Sequence, residues 1–420
     1  MTEQTSGALS DLVVLDLADE KGMYAGKLLA DMGARVILVE PPGGHMARHI
    51  GPFHDDRPDP NASLSFWYHA TNKESVTLDI ADPAGARVLR DLVGKADIVL
   101  ESFQPGHLDS LGLGYDALSE INPRVIMASI TGFGQTGPYR DYRTSDLVAM
   151  AMGGPMASCG YDDVPGAPPI RCDGWPGYST GCHYAVIGLL AALYYRDVTG
   201  LGQWVDASIH EALSCTTEAA MPQWFYAQAT PIRQTGRHHS LLPTPSTQFE
   251  TADGKLVNVF GVPPQTLPRW DALVAWMDET GMAGELKDES YRQLIREGQR
   301  RGPHVERIFN VLRTFIGSLP ADEVYHRAQR IRIPWAVIRS PEENLDDAHF
   351  REDRGFFVEV EHPEAGGSFL YPGAPYVFSG TPWAVRRRAP LLGEDNERVL
   401  VGDLGLGAGE VAALRESGVI

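Results

Sequence analysis

Only four cysteines occur in 420 residues, at Cys159, Cys172, Cys182 and Cys215, with no CxxC pair and no histidine at metal-ligand spacing. That scatter excludes a disulfide framework and a cysteine-based metal centre. The thiols are expected to be buried and unpaired, in a reducing compartment. Positive charge is thin as well: 36 Lys and Arg face 55 Asp and Glu, a net charge of −19. A nucleic-acid partner needs a basic patch or stripe, so none is expected, and the acidic surface reads as solubility. Long apolar runs are missing too. The most apolar stretch, residues 185–195, is well short of the ~20 residues a membrane-spanning helix needs. The opening text, MTEQTSGALSDL, lacks the basic-then-apolar order of a secretory signal. A soluble, cytoplasmic protein without a membrane partner is the expectation.

What the chain does hold is α/β alternation. Its 420 residues exceed one ordinary core, which predicts two domains or one large α/β body. Residues 12–18 (LVVLDLA) form a short β-branched apolar run and read as a buried strand. Residues 24–32 read as a helix ended by Gly33, and 36–40 (VILVE) as the next strand. Such a βαβ unit implies a parallel pair. The alternation repeats: 83–95 is helical, 97–101 a strand, 108–121 mostly helical and 125–130 another strand. A doubly wound, Rossmann-like sheet is predicted. Its dinucleotide fingerprint is absent. Glu40 is placed to receive a ribose hydroxyl, but the first turn reads ADEKGMYAG without GxGxxG, and Asp19 and Glu20 would repel a pyrophosphate. Neither NAD nor FAD is expected.

Residues 168–193, PPIRCDGWPGYSTGCHYAVIGLLAAL, read as a loop leading into a helix buried on every side. Gly181, Ala185, Gly188 and Ala192 recur at roughly helical spacing, so one face can lie close against a neighbour. Unpaired N–H groups and the positive end of the dipole gather at a helix N-terminus and suit a carboxylate. The loop there is the natural place for chemistry. Residues 199–212 give a glycine turn, a short strand and a helix start, and 216–236 read as an irregular linker. Alternating runs around Asp253-Gly254 in 248–261 signal a hairpin. Helical stretches follow around 268–277, 289–297 and 305–318, so this middle section reads as a smaller α+β domain. Short strands return after Ala336, and helix-like text from Asn396 onward is expected to rejoin the first domain.

Five blocks occur in order: LDLA…GKLLADMGARVILVEPPGG; Asn72-Lys73 with ESVTLDI; DIVLESFQPGHLDSLGLGYDALSEINPRVIMASITGFGQTGPY; AVIGLLAALYYRDVTGLGQWVDASIHEA; and APLLGEDNERVL. Together they resemble the class III CoA-transferase family, which includes formyl-CoA transferase, carnitine CoA-transferase and α-methylacyl-CoA racemase. The resemblance implies an interlocked dimer of two threaded subunits. Each would have a large Rossmann-like domain built from both chain ends and a small α+β domain. On that pattern 1–213 begin the large CoA-binding domain, 214–240 are a linker, 241–325 the small domain, 326–345 a second linker, and 346–420 complete the large domain. Acyl-CoA and an organic acid are the implied substrates. Arg48 and Lys73 match cations near the CoA phosphates, with an ordinary surface cation as the alternative for each. Phe103 matches an aromatic beside the adenine, or packs as a core residue. Gly106 fits a tight turn opening the next helix. The first loop departs from the pattern, with Glu20 and Lys21 where less charged residues are usual.

In that family an aspartate in a GD-containing loop attacks the thioester, passes through a mixed anhydride and then holds CoA as an enzyme thioester. A carboxylate at a helix N-terminus, shielded from water, is a competent nucleophile. Counting back from Leu193 puts Tyr178 at that position, in GWPGYSTG, which contains no acid. Asp173 is the nearest carboxylate upstream and the candidate catalytic residue, with a turn-forming role as its alternative. Tyr178, with a reference pKa of about 10, is a poor nucleophile but a hydrogen-bond donor. His183 reads as a buried histidine or a base, and Cys182 as an inert buried thiol or one activated at the helix N-terminus. The racemase branch has a histidine where this chain reads Arg143-Thr144-Ser145-Asp146, which speaks against racemization.

Three functions stay open. One is a CoA-transferase moving CoA from an acyl-CoA to a free acid, through Asp173 or another carboxylate. The second is a non-catalytic CoA-binding subunit of a heteromer, by analogy with the two related subunits of benzylsuccinate CoA-transferases. The third is a different acyl-CoA reaction, or acyl-CoA binding alone. Trp175, Tyr178, Trp224, Phe225 and Tyr226 are candidates to line an acyl pocket.

Overall fold

The computed structural model describes residues 7–217 and 220–420. They divide into two compact units, one of residues 7–155, 171–217 and 348–420, the other of 156–170 and 220–347.

The first unit is built on one sheet. Strands β1 (Val13–Leu17), β2 (Arg35–Glu40), β3 (Lys73–Thr77), β4 (Ile98–Glu101), β5 (Ile126–Thr131) and β6 (Trp204–Ser208) lie in the order β3-β2-β1-β4-β5-β6. Every neighbouring pair is parallel. Parallel strands need crossover helices. These are α1 (Met23–Asp31), α2 (Leu64–His69), α3 (Pro83–Val93), α4 (His107–Ser110), α5 (Tyr115–Ile121), α6 (Asp146–Met152) and, after the one-turn α7 (Pro155–Ser158) where the chain passes into the second unit, α8 (Pro176–Thr199), with α9 (Ile209–Ser214) after β6. The text around 108–121 gives two helices, not one, because Gly112 takes φ +64 and turns the chain between α4 and α5.

Helix α8 differs from expectation. Gly181, Cys182, Ala185, Leu189 and Ala192 are buried, but Tyr184, Ile187, Tyr194 and Val198 on the other face are exposed. The apolar residues run round the whole helix, whereas the sheet covers only the small-residue side. Of the cysteines, Cys182 alone is buried; Cys159, Cys172 and Cys215 are exposed, and none is in a disulfide. That corrects the expectation of buried thiols: these three lie on loops and helix ends at the surface.

In the second unit, α10 (Ala220–Ala227) occupies text that reads as irregular, and leaves Trp224, Phe225 and Tyr226 exposed. The antiparallel hairpin β7 (Gln248–Glu250) and β8 (Leu256–Asn258) follows, then α11 (Leu267–Asp278), α12 (Glu289–Arg296), α13 (Pro303–Ile316) and α14 (Ala321–Arg330). Strand β9 (Ala336–Val337) completes a three-stranded sheet around a core that includes Trp270, Phe315 and Trp335. Residues 156–170 fall in this unit, where Asp162 pairs with Arg237 at 2.7 Å.

The chain then returns to the first unit with the hairpin β10 (Phe357–His362) and β11 (Gly367–Pro372) and helix α15 (Ala408–Glu416). Val399, Leu400, Val411 and Leu414 share one core with Leu15, Ile37 and Val76. Asp395 and Asn396 accept from Ser75 N and Thr77 N at 2.9 and 2.8 Å, satisfying the β3 edge. No helix among the described residues is long and apolar enough to cross a membrane.

Candidate active site

In an open parallel sheet, ligands gather outside the strand carboxyl ends where the strand order reverses. Here that point lies between β1 and β4. The loops leaving these strands meet there: Ser102 Oγ accepts from Asp19 N at 2.7 Å and donates to Asp19 Oδ1 at 2.6 Å. Lys21 pairs with Asp19. The Cys182 thiol donates to Lys21 O at 3.3 Å, which brings α8 against the first loop.

The N-terminus of α8 is already occupied. Asp146 Oδ1 accepts from Gly177 N at 2.9 Å and from Tyr178 N at 3.1 Å, and the residue is buried. The donors expected to face an incoming carboxylate are thus held by one of the chain's own. Burial raises the Asp146 carboxyl above its ordinary range, against the pull of those two N–H groups. Tyr178 is buried, and its phenol is pushed well up by burial and by Glu20, Asp19 and Asp146. It therefore stays protonated. Burial also pushes the Cys182 thiol up to about 12, which makes it unreactive. His183 is exposed, edge-on to Tyr24 at 5.4 Å between ring centres, so the buried-histidine reading does not hold.

Asp173 lies exposed on the loop before α8. Gly174 follows it at φ +76, and Arg171 Nη1 donates to Gly174 O at 2.7 Å and to Cys172 O at 3.1 Å, so the turn is fixed by its own side chain. Trp175 is half-buried beside it and lies nearly parallel to His69 at 5.9 Å. His69 and Asp146 escape a reading of sequence. The only hint for His69 is its place at the end of the aromatic SFWYHA.

Arg48 and Lys73 are not at the surface. Arg48 is fully buried, bonded through Nε and Nη2 to both oxygens of Glu40 at 2.7 Å, with Pro60 O, Asn61 Oδ1 and Pro390 O taking its other donors at 3.1–3.2 Å. Ser75 Oγ adds a 2.6 Å bond to Glu40, so this carboxylate is fully engaged inside the protein and is not offered to a ribose. Lys73 Nζ donates to Asp16 Oδ2 and to Met23 O, both at 2.8 Å. Gly26 on α1 makes room for that pair: a Cβ there would fall on the Asp16 carboxylate and 2.9 Å from Lys73 Nζ.

Phe103 packs partly buried against the core and lies 4.8 Å from the His107 ring. Gly106 takes φ +83 at the start of α4. Gly106 lines a cavity of about 300 Å³ with Glu101, Gln104, Tyr115, Ser129 and Trp204. Glu101 is buried and accepts from Phe103 N at 2.8 Å; burial pushes its carboxyl up to about 7, against Ser129 and the Phe103 N–H. The signal for it in the sequence is one acid closing an otherwise apolar strand, IVLE.

The profile of CoA-transferase family III matches residues 9–396. Formyl-CoA:oxalate CoA-transferase of Streptomyces coelicolor is 34% identical over 99% of this chain and 100% of its own. Subunit BbsE of succinyl-CoA:(R)-benzylsuccinate CoA-transferase from Thauera aromatica is 31% identical over 97% of each chain. A CAIB/BAIF family protein from Brucella suis has a similar solved structure, with a TM-score of 0.77 and 27% identity over 96% of this chain and 100% of that one.

Proposed function

Because the chain belongs to CoA-transferase family III, we propose that this enzyme moves coenzyme A from an acyl-CoA to a free organic acid, with Asp173 as nucleophile. The family match along nearly the whole chain supports CoA transfer, and Asp173 is taken as the carboxylate nearest upstream of Tyr178. The Asp173 carboxylate attacks the thioester carbonyl, the C–S bond breaks, and CoA leaves as thiolate while the acyl group stays on Asp173 as a mixed anhydride. The thiolate then attacks the Asp173 carbonyl and releases the first acid, leaving CoA as an enzyme thioester. The acceptor acid repeats the sequence in reverse and departs as the new acyl-CoA. Tyr178, kept protonated, supplies a hydrogen-bond donor next to this loop.

CoA lies across the carboxyl ends of β1 and β4, with its adenine toward Phe103 and the cavity at Gly106. Glu101 there suits an exocyclic amine as acceptor. Arg48 and Lys73 act indirectly, fixing the strands that carry the first loop, since their donors are engaged. The exposed Tyr184, Ile187, Tyr194 and Val198 on α8 favour a second chain packed on that face, as in an interlocked dimer.

A second reading has its own support. The segment GWPGYSTG around Tyr178, where the count from Leu193 puts the family's aspartate, contains no acid, and the relative BbsE is named as a subunit. In that case this chain binds CoA beside a related subunit that supplies the aspartate. The purified chain decides between them. CoA exchange by the chain alone, lost in Asp173→Ala, supports the first; exchange only after co-expression with a related chain supports the second.

A further inference from the structure

The foot of α8 holds a polar group that the transfer steps do not use. His69 ends α2 with its Nδ1 2.8 Å from Ser65 O. A carbonyl only accepts, so Nδ1 carries the proton and Nε2 keeps its lone pair. Burial pushes this imidazole down to about 4, with Lys73 and Lys27 adding to the drop against the pull of the Ser65 carbonyl, so the ring is neutral at pH 7. The two nitrogens lie on opposite edges of the ring. With Nδ1 turned back on its own helix, Nε2 lies on the ring's far edge and points away from that helix as an acceptor.

Three aromatic rings gather round the imidazole. Trp175 lies nearly parallel to the ring at 5.9 Å, while Tyr24 and Tyr68 meet it edge-on at 5.8 and 4.9 Å. Trp175 is two residues from Asp173, so this cluster adjoins the acyl end of the site. A neutral imidazole nitrogen with a free lone pair repels a second carboxylate and attracts a neutral donor.

We infer that His69 sets acid specificity: its Nε2 accepts a hydrogen bond from a hydroxyl on a carboxylic acid whose apolar ring lies against Trp175 and Tyr24. This rests on the transferase reading, which locates the acid near Asp173.

Two acids differing only in the hydroxyl, 2-hydroxy-3-phenylpropanoate and 3-phenylpropanoate, test it by calorimetric titration into the full chain, with and without CoA. The hydroxylated acid should bind about tenfold tighter, the worth of one neutral hydrogen bond. His69→Phe, which keeps a ring in the stack, should bring that ratio to one, and His69→Gln, which restores an acceptor, should recover part of it. In the ¹⁵N imidazole spectrum the unprotonated Nε2 of His69 should move with the hydroxylated acid and not with the other. Equal affinities, a ratio surviving in His69→Phe, an unmoved Nε2 or no binding of either acid would each overturn the inference. CoA titrated alone separates the two layers: failure to bind CoA counts against the transferase reading, whereas CoA binding without acid discrimination counts only against the role of His69.

Discussion

Asp146 on α6 holds the backbone N–H of Tyr178 on α8 at 3.1 Å, across 32 positions of sequence. The same carboxylate oxygen holds Gly177, so one acid closes the first turn of the helix that carries the site. Removing it leaves two buried donors unpaired. Asp146→Ala should lower stability by about 1–3 kcal/mol, and Asp146→Asn, which retains an oxygen acceptor, by less. Urea unfolding curves measure both.

The Asp16–Lys73 pair makes a second prediction. Both groups are buried, so removing one strands the other charge. Lys73→Met alone should cost about 3–5 kcal/mol, while the double variant with Asp16→Leu should recover much of it. Gly26→Ala should also destabilise strongly, because its Cβ would fall on the Asp16 carboxylate. If Lys73 instead held CoA from the surface, Lys73→Met would weaken CoA binding and leave the unfolding midpoint in place.

Glu101 gives a pH signature. Its carboxyl titrates near 7 in the folded chain against 4.5 as the reference. Between those values the unfolded chain has released this proton and the folded chain has kept it. The contribution to stability is therefore full below about pH 4.5 and declines as pH rises through 7, by about 3 kcal/mol in all. Glu101→Gln should remove that slope: similar to the parent at pH 5, more stable at pH 8. Parallel denaturation curves at the two pH values check it.

Much of this was open to sequence. β-branched runs and their spacing give β1, α1, β2, β4 and β5, and Asp253-Gly254 marks its hairpin. Polar partners far apart in the chain were not. The Asp16–Lys73 bond spans 57 positions, and Arg48 reaches Pro390 across 342. A cation with such partners looks, residue by residue, like any surface cation. The same limit hid Asp146, whose role depends on α6 meeting α8. It also governed 156–170, which join the second unit through Asp162 and Arg237. Helix α8 misled for a different reason: its exposed tyrosines and aliphatics have the composition of a core, and only the fold shows which side the sheet covers.

The chemistry itself is tested most directly by trapping. The chain is incubated with an acyl-CoA and then reduced with borohydride, which converts an enzyme-bound thioester to an alcohol. Peptide mass spectrometry then locates the modified carboxylate in the segment after Arg171. The account predicts conversion of Asp173 to the alcohol, dependent on acyl-CoA and absent from Asp173→Ala. Exchange activity with Asp173 unmodified, or unchanged in Asp173→Ala, would contradict it.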